Sequence, residues 1–380
     1  MISTYCPLPF KHAFVDSTGV SVCCQSPRHQ VDLNHWHNDN KLIKMQQQIL
    51  GNQIPTTCQG CINNEKIYGQ SLRTESLRDY NNQIFTHTQL DFIDYRSSNI
   101  CNFKCRSCSP TFSHGIDQEA RKNESLTKFY YKVNDTKTVS VNEHNQEWIL
   151  QNLNTINRLM FTGGEPTQIP GIKEIINEVA KKYKDRINIM ITSNASFLDD
   201  FWFNVTRQLG NIHWTISIDA VGSAAEIIRH GTDWAVVESN ARWLAKNSPS
   251  LDINTVVSNL SVFQLRKLLI FVRELQLSSI SPNGQHGDIG CRHQFFVCRS
   301  PYMLAVNNLT PDLKSSAMNI LSQCLALDLD SEQSNTLTGI LKQLTTSDFN
   351  KEQWAISEEF NQTLDRIRNE DHTVLFKEII

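Results

Sequence analysis

The chain lacks the features that would place it in a membrane or on a nucleic acid. None of its apolar runs approaches the roughly 18 residues that a membrane-spanning helix requires. Its 36 basic and 39 acidic residues give a net charge of −3, which leaves no electrostatic footprint for nucleic acid or anionic lipid. The opening MISTYCPLPFKHAF has no basic segment followed by an apolar one, so it does not read as a signal peptide. We therefore expect a cytoplasmic protein with no nucleic-acid or membrane partner.

Glycine is also scarce, with 15 residues in 380, whereas cysteine is abundant, with 11. Without an export signal, metal binding or redox chemistry is a better explanation of these thiols than disulfide bonds. They fall into an N-terminal set, a tight knot and a late scattered set: Cys6, Cys23, Cys24, Cys58 and Cys61; Cys101, Cys105 and Cys108; and Cys291, Cys298 and Cys324. We expect the late set to be buried apolar residues rather than metal ligands.

From about residue 88 the sequence alternates between strand-like and helix-like segments, which predicts an α/β fold with parallel strands and right-handed crossovers. Six such units are too few for an eightfold barrel and suit a doubly wound sheet or an open partial barrel. The strand candidates are 90–97, 156–162, 187–193, 212–219, 251–258 and 295–306, and the helix candidates between them are 171–184, 196–210, 233–247 and 261–276.

The alternation suggests three regions. Residues 1–85 do not share it: they predict a hairpin over 12–24 that turns at Gly19, then a helix over 38–51. A module this small has a thin core, which bound metal would stabilise. Residues 86–310 form the predicted α/β core, and residues 311–380 have a helical pattern without a recognisable motif.

The knot CNFKCRSC places three thiols within eight residues, directly after the first strand of the alternating region. Thiolates are the usual ligands of iron–sulfur clusters, and a 4Fe-4S cluster has four ligand positions. Three cysteines would leave one iron open to another ligand. The alternative is a structural zinc loop that takes its fourth ligand from elsewhere in the chain.

The knot, CxxxCxxC after a first strand, resembles the signature of the radical S-adenosylmethionine (SAM) enzymes. FTGGEPT (161–167), at the end of the second strand, resembles the GGEP motif of the same family. The resemblance implies a partial (β/α)6 barrel of the TIM type with a SAM-binding 4Fe-4S cluster on Cys101, Cys105 and Cys108. It also implies that the segment Gly163, Gly164, Glu165 and Pro166 holds the methionyl amine of SAM. Taken alone, GGEP would also fit a plain turn with a surface glutamate.

Further positions carry a weaker part of this resemblance. Asn194 matches an asparagine after the third strand, although Ala195 stands where glycine is commoner. Ser217 and Asp219 resemble a fourth-strand pair near the ribose and carboxylate of SAM, and Arg229 resembles an arginine that pairs with that carboxylate. Asp219 could instead cap a helix, and Arg229 could be a surface residue.

The knot also departs from the family in one position. Ser107 occupies the place before the third cysteine, where an aromatic residue or methionine usually flanks the adenine. Phe103 is a candidate to cover that edge of the adenine instead.

The N-terminal cysteines follow a C-x17-C…C-x2-C layout, which resembles the twitch module, a one-cluster relative of the SPASM domain. The resemblance implies an auxiliary 4Fe-4S cluster on Cys6, Cys24, Cys58 and Cys61. Cys23 is the alternative to Cys24, because neighbours on a strand point to opposite sides. Many family members place this module after the barrel, whereas here it comes first. A zinc ribbon fits the CxxC spacing equally well.

The family chemistry implied is reductive cleavage of SAM to a 5′-deoxyadenosyl radical that abstracts hydrogen from a substrate C–H bond. We expect a ribosomally made peptide or protein as substrate, with dehydrogenation of a small alcohol or sugar as the alternative. The expected partners are a reductant such as flavodoxin or ferredoxin and a separate leader-peptide-binding protein. The alternative from a different functional class is a non-catalytic iron–sulfur or zinc scaffold. The sequence assigns no general acid or base.

Overall fold

The computed structural model describes residues 4–16, 18–68, 71–131, 143–279 and 290–377. Among them, eight strands form a mostly parallel sheet, and two short strands form a second sheet. In chain order the strands are β1 (His12–Asp16), β2 (Gly19–Ser21), β3 (Phe92–Arg96), β4 (Lys104–Cys105), β5 (Arg158–Phe161), β6 (Asn188–Ser193), β7 (Ile212–Ser217), β8 (Arg229–His230), β9 (Ser250–Val257) and β10 (Cys291–Val297).

Helices precede, connect and follow these strands along the chain. They are α1 (Leu8–Lys11), α2 (Asn40–Leu50), α3 (Gln59–Tyr68), α4 (Leu72–Asp79), α5 (His114–Lys122), α6 (Glu124–Tyr130), α7 (Glu143–Gln151), α8 (Pro170–Lys182), α9 (Asp200–Gln208), α10 (Ser223–Ile228), α11 (Trp234–Asn247), α12 (Leu265–Ser278), α13 (Pro311–Leu325), α14 (Ser331–Thr346), α15 (Lys351–Arg368) and α16 (Val374–Lys377). Short 3-10 turns cover Trp36–Asn38, Thr56–Cys58, Pro166–Gln168, Ser261–Gln264 and Tyr302–Leu304. No helix in the described part of the chain is both long and apolar enough to cross a bilayer.

The chain divides into two compact units. The first comprises Met1–Ser98 and Thr138–Met190, and the second comprises Asn99–Lys137 and Ile191–Ile380. The N-terminal hairpin is not a separate sheet, since β1 pairs in parallel with β3, with His12 opposite Phe92.

In the first unit, β1 lies between β2 and β3, and β3 pairs in parallel with β5. The antiparallel pairing of β1 with β2 is the predicted hairpin, and Gly19 adopts a φ of +141° that an L side chain rarely takes. A side chain at Gly19 would also collide with the carbonyl oxygen of His29. The hairpin is therefore fixed at this turn both by conformation and by close packing.

In the second unit, β9 pairs in parallel with both β7 and β10. Helix α11 shows why the connecting helices form where the sequence predicts them. The Asp233 side chain caps its first turn by accepting from the Val236 backbone N–H, and the apolar side chains at Val237, Ala241 and Leu244 are buried at helical spacing.

Five of the six predicted strands begin and end within two residues of β3, β5, β6, β7 and β9. The sixth was expected over 295–306, whereas β10 covers Cys291–Val297. The apolar residues that suggested the later position, Met303 and Leu304, are buried in a 3-10 turn instead. The architecture is thus the predicted α/β fold with a mostly parallel sheet, extended by β1 and β2.

Candidate functional site

The knot cysteines lie on a loop that a small second sheet holds in place. Strand β4 pairs antiparallel with β8, and this register sets Cys105 opposite Arg229. The Cys108 backbone N–H donates to the Cys105 carbonyl (3.1 Å), and the Ser113 hydroxyl donates to the Phe103 carbonyl (2.7 Å). Burial raises the pKa of the Cys105 thiol, while the Arg229 guanidinium acts to lower it. Two predicted site residues, a cysteine and an arginine, are therefore strand partners.

Arg229 is buried beside these thiols and is not a surface residue. Its Nη1 donates to the Asp219 carboxylate (3.0 Å), and its Nε is buried with no hydrogen-bond partner among the described residues. Burial acts to lower the pKa of Arg229, but the Cys105 thiol and the Asp219 carboxylate outweigh it and raise that pKa. A buried guanidinium with a free N–H is a natural partner for a carboxylate or another anion.

Asp219 does not cap a helix, which was the alternative to a role in the site. One carboxylate oxygen accepts from the Val256 backbone N–H (2.8 Å), and the other accepts from Arg229. The side chain is 1% exposed. Asp219 therefore ties Arg229 to strand β9, which orients the guanidinium.

Asn194 belongs to a closed set of hydrogen bonds that reaches the knot loop. Its Nδ2 donates to the Asn102 Oδ1 (3.0 Å), and its Oδ1 accepts from the Ser196 hydroxyl (2.6 Å). The Asn102 Nδ2 donates to the same hydroxyl (2.8 Å), which completes a triangle of side chains. Ala195 takes a φ of +57°, the left-handed conformation that explains why glycine is the commoner residue at this position. Asn194 thus supports the residue that follows Cys101.

A narrow pocket brings together several predicted residues of the second unit. Phe103, Asn194, Ser217 and Arg229 line it, with Trp234 on one wall. Phe103 is the residue expected to replace the aromatic group missing at Ser107, and its ring centroid lies 6.0 Å from the centre of the Arg229 guanidinium.

The GGEP segment lies in the first unit. Gly163 has a φ of +111°, and a side chain there would press against the Ser98 carbonyl oxygen and the Arg96 Cβ. Glu165 is 1% exposed and accepts hydrogen bonds from the Thr167 hydroxyl (2.6 Å) and backbone N–H (3.2 Å). Because its carboxylate is buried rather than solvated, Glu165 is not the surface glutamate of a plain turn.

Arg106, which lies between two knot cysteines, belongs to none of the sequence motifs. Its side chain is fully buried, and all three of its nitrogens donate: Nε to the Ile227 carbonyl (3.1 Å), Nη1 to Asn361, and Nη2 to Asp365 and to Glu370 (2.7 Å). These partners lie near the end of the chain, so no local motif could have revealed them. The sequence signals of this role are the position of Arg106 between two cysteines and the acidic residues near the end of the chain.

In the first unit, Cys6, Cys23, Cys58 and Cys61 line one cavity whose remaining walls are mostly apolar. Burial raises the pKa of the Cys6 and Cys23 thiols to about 12, and the Cys58 thiol adds to both shifts. The Cys61 thiol contributes to the raised pKa of Cys23, and it donates to the Gln25 Oε1 (3.7 Å). The four thiols therefore lie within each other's electrostatic reach.

Cys24, which was expected to be a ligand, does not line this cavity. It is exposed, and apart from burial the charged groups that shift its pKa are Arg96, Asp94 and Arg28 rather than Cys6, Cys58 or Cys61. The structure thus brings the alternative, Cys23, together with the other N-terminal cysteines.

The three late cysteines differ from the other two sets because all of them are buried. Cys291, Cys298 and Cys324 are buried, and burial raises the pKa of each thiol. Within the described ranges, no three or more histidine, cysteine, aspartate or glutamate side chains are arranged to hold a metal ion. The cysteine ligands of a 4Fe-4S cluster bind different irons, so they do not converge on one point as the ligands of a single ion do.

Part of the chain matches the model of a known protein family. Residues 95–271 match the sequence model of the Radical SAM superfamily. No curated protein matches the chain, whereas 40 solved chains do.

Three of these solved structures illustrate the likeness. Native anSMEcpe with bound AdoMet is 18% identical, with 65% of this chain and 62% of that chain covered and a TM-score of 0.41. Streptococcus suis SuiB bound to S-adenosylmethionine is 16% identical, with 75% and 58% covered and a TM-score of 0.39. TYW1 with a lysine-pyruvate adduct is 14% identical, with 72% and 86% covered and a TM-score of 0.38.

This chain therefore spans about three fifths of the anSMEcpe and SuiB chains. The superfamily is one of enzymes that use SAM and a 4Fe-4S cluster, and the unpartnered Arg229 Nε beside Cys105 fits the anionic groups that both bring. The matched segment, residues 95–271, contains both the knot and the GGEP segment, so the motifs and the sequence model point to the same part of the chain.

Proposed function

We propose that this chain is a radical SAM enzyme that removes a hydrogen atom from a C–H bond of a peptide or protein. The observation that carries the proposal is the strand pairing of Cys105 with the buried Arg229, inside a segment that matches the superfamily. Cys101, Cys105 and Cys108 would hold the 4Fe-4S cluster to which SAM binds. When bound, cluster and SAM supply the chemistry: one-electron cleavage of the sulfonium S–C5′ bond, which releases a 5′-deoxyadenosyl radical and methionine.

The chain's own residues would bind and orient SAM. The free Nε of Arg229 is the donor for the methionyl carboxylate, and Asp219 keeps the guanidinium in place. Glu165, with Gly163 and Gly164 allowing close approach of the backbone, would accept from the methionyl ammonium. Ser217 and Phe103, which line the narrow pocket with Arg229, would contact the ribose and adenine. Pro166 begins the 3-10 turn that Glu165 caps, so it orients that carboxylate.

We also propose an auxiliary 4Fe-4S cluster in the N-terminal cavity, with Cys6, Cys23, Cys58 and Cys61 as ligands. Cys23 takes the place first expected for Cys24, because Cys23 lines the cavity and Cys24 does not. Four cysteines would leave no open iron, so this cluster would relay an electron rather than bind substrate. Acceptance of an electron from a substrate radical favours oxidation or radical coupling over isomerisation.

The substrate class rests on the twitch-like layout of the N-terminal cysteines. A ribosomally made peptide is our choice, and a small alcohol or sugar is the alternative. Other solved structures contain anSMEcpe with the Cp18Cys peptide and SuiB with the precursor peptide SuiA. A reductant of the flavodoxin or ferredoxin type would supply electrons, and a separate protein would deliver a leader peptide.

Anaerobic reconstitution tests the proposal. Wild-type protein should bind about eight irons and eight sulfides, and under dithionite it should release 5′-deoxyadenosine, measured by chromatography. Cys105→Ala should release none, whereas Cys324→Ser should match the wild type. If wild type with intact clusters neither binds SAM nor forms 5′-deoxyadenosine, the protein is a scaffold. A peptide substrate should raise the rate of 5′-deoxyadenosine formation above that with alcohols or sugars.

A further inference from the structure

Two buried hydrogen-bond donors near the knot have no partner among the described residues. They are the hydroxyl of Tyr130, the last residue of α6, and the Nη1 of Arg368, the last residue of α15. A buried polar group without a partner costs about 1–3 kcal/mol, so such groups are rare. Neither residue belongs to a recognised motif. Both donors therefore need an explanation.

The remainder of the Arg368 side chain is tightly held. It is 1% exposed, and its Nε and Nη2 both donate to the Glu119 Oε2 (3.2 and 2.7 Å), while Nε also donates to Oε1 (3.3 Å). Glu119 in turn accepts from the Lys104 ammonium (2.5 Å), and Lys104 is the residue before Cys105. This arrangement fixes the guanidinium plane and leaves Nη1 as the nitrogen without a partner.

Arg368 also acts on the knot thiols electrostatically. Burial raises the pKa of the Cys105 thiol, and Arg368 joins Arg229 in acting to lower it. Arg368 therefore lies within Coulombic reach of a proposed cluster ligand. Its positive charge is of the sign that stabilises an anionic cluster.

Tyr130 lies in the same neighbourhood. Its ring packs edge-on against Phe360, with centroids 5.9 Å apart. Burial raises the pKa of its hydroxyl, Arg368 acts to lower that pKa, and the Cys108 thiol acts to raise it. Phe360, against which Tyr130 packs, belongs to α15, the helix that ends at Arg368. Arg368 is joined through Glu119 to Lys104, the residue before Cys105.

We infer that the Arg368 Nη1 and the Tyr130 hydroxyl donate hydrogen bonds to sulfur atoms of the cluster on the knot, and so set its reduction potential. This inference rests on the proposed function. Hydrogen bonds to the sulfurs and nearby positive charge stabilise the more negative, reduced cluster, which raises the potential. Tyr130 and Arg368 would act on the cluster and not on the substrate, so they are tuning residues rather than catalytic ones.

Tyr130→Phe and Arg368→Met, made in the full-length chain, test this inference by redox titration followed by electron paramagnetic resonance. The signal of the knot cluster is the one that changes when SAM is added. In each variant the ratio of reduced to oxidised cluster at a fixed applied potential should fall about tenfold, which is 59 mV for a one-electron couple. Tyr302→Phe and Arg366→Met, both at exposed positions, should leave the ratio unchanged.

A second measurement separates tuning from folding. Because the Tyr130 hydroxyl has no partner among the described residues, Tyr130→Phe should not lower the thermal midpoint of the cluster-free protein. If both variants bind wild-type amounts of iron and sulfide and keep the wild-type potential, the inference is wrong. If Arg368→Met fails to fold, Tyr130→Phe decides alone. If the wild type binds no cluster at the knot, the proposed function fails, which is a distinguishable result.

Discussion

The two proposed cluster sites use the same ligand type in opposite surroundings. In the N-terminal cavity, burial is the largest cause of the raised pKa of the Cys6, Cys23 and Cys58 thiols, and most of the wall is apolar. At the knot, arginines dominate the surroundings, and two of their nitrogens, the Arg229 Nε and the Arg368 Nη1, have no hydrogen-bond partner among the described residues. The N-terminal cavity provides four thiols and few hydrogen-bond donors. The knot provides three thiols and hydrogen-bond donors that have no partner among the described residues.

This difference indicates what each site can do. Four cysteines in an apolar cavity satisfy every iron of a cluster and leave no position for another molecule. Three cysteines leave one iron position open, and the adjacent Arg229 supplies the positive charge that a carboxylate would need. The number of cysteines sets whether an iron is open, and the surrounding donors set what can approach it.

Removing the knot should have the largest effect. A variant with Cys101, Cys105 and Cys108 changed to alanine should form no 5′-deoxyadenosine and retain about four irons, because the N-terminal cavity is lined by residues of the other unit. Iron and sulfide counts with chromatography measure both results. Complete loss of iron would mean that the two sites are not independent.

Next comes a choice between adjacent thiols. Cys23→Ala should lose about four irons and Cys24→Ala none, since Cys23 lines the cavity and Cys24 is exposed beside Arg96. The two variants are matched controls for each other, and metal analysis distinguishes them. The reverse pattern would restore Cys24 as the ligand.

Weaker binding of SAM, with intact clusters, is expected from Arg229→Ala and from Glu165→Ala. Each loses a charge-assisted hydrogen bond of about 1.5–3 kcal/mol, so the dissociation constant should rise about tenfold to a hundredfold. Equilibrium dialysis measures the change, with Arg366→Ala as the control. An unchanged affinity for SAM would contradict the assignment of that residue.

The smallest expected effect concerns pH. His372 is 1% exposed, with Nδ1 bonded to Asp365 (2.6 Å) and Nε2 to Glu358 (3.3 Å). Burial acts to lower the pKa of His372, but these carboxylates outweigh it and raise that pKa above 6.5. The stabilisation is therefore complete below about pH 6.5 and is lost as pH rises through the folded-state pKa.

His372→Gln should remove this pH dependence from the thermal midpoint, measured by circular dichroism from pH 6 upward. His87→Gln, at an exposed position, is the control. A wild-type midpoint that does not fall relative to His372→Gln as the pH rises would show that the histidine contributes no such stabilisation.

Local sequence patterns were sufficient for the strands whose neighbours follow in order. They did not predict that β1 pairs with β3, because the two strands lie 80 residues apart in the sequence and no periodic pattern encodes that distance. Local patterns also could not decide between Cys23 and Cys24. These two residues follow the end of β2 in a bend and a turn, where the alternation of side chains along a strand does not indicate which one faces the cavity.

The knot and the GGEP segment were recognisable because their spacing is local. Their supporting residues were not: Asn361, Asp365 and Glu370 contact Arg106 across 255–264 residues of sequence. Arg368 and Tyr130 are likewise brought to the knot only by tertiary packing. The sequence motifs were sufficient to find the cysteines, whereas the groups around them could be found only from the folded structure.

The distance in sequence between Arg106 and its partners also has a consequence for biosynthesis. At about 5–20 residues per second, a ribosome needs about 13–50 s to pass from Arg106 to Asn361. Throughout that interval the loop between Cys105 and Cys108 exists without the acidic groups that neutralise its buried arginine. We therefore expect cluster loading at the knot to follow translation of residues 361–370 rather than to accompany the emergence of the cysteines.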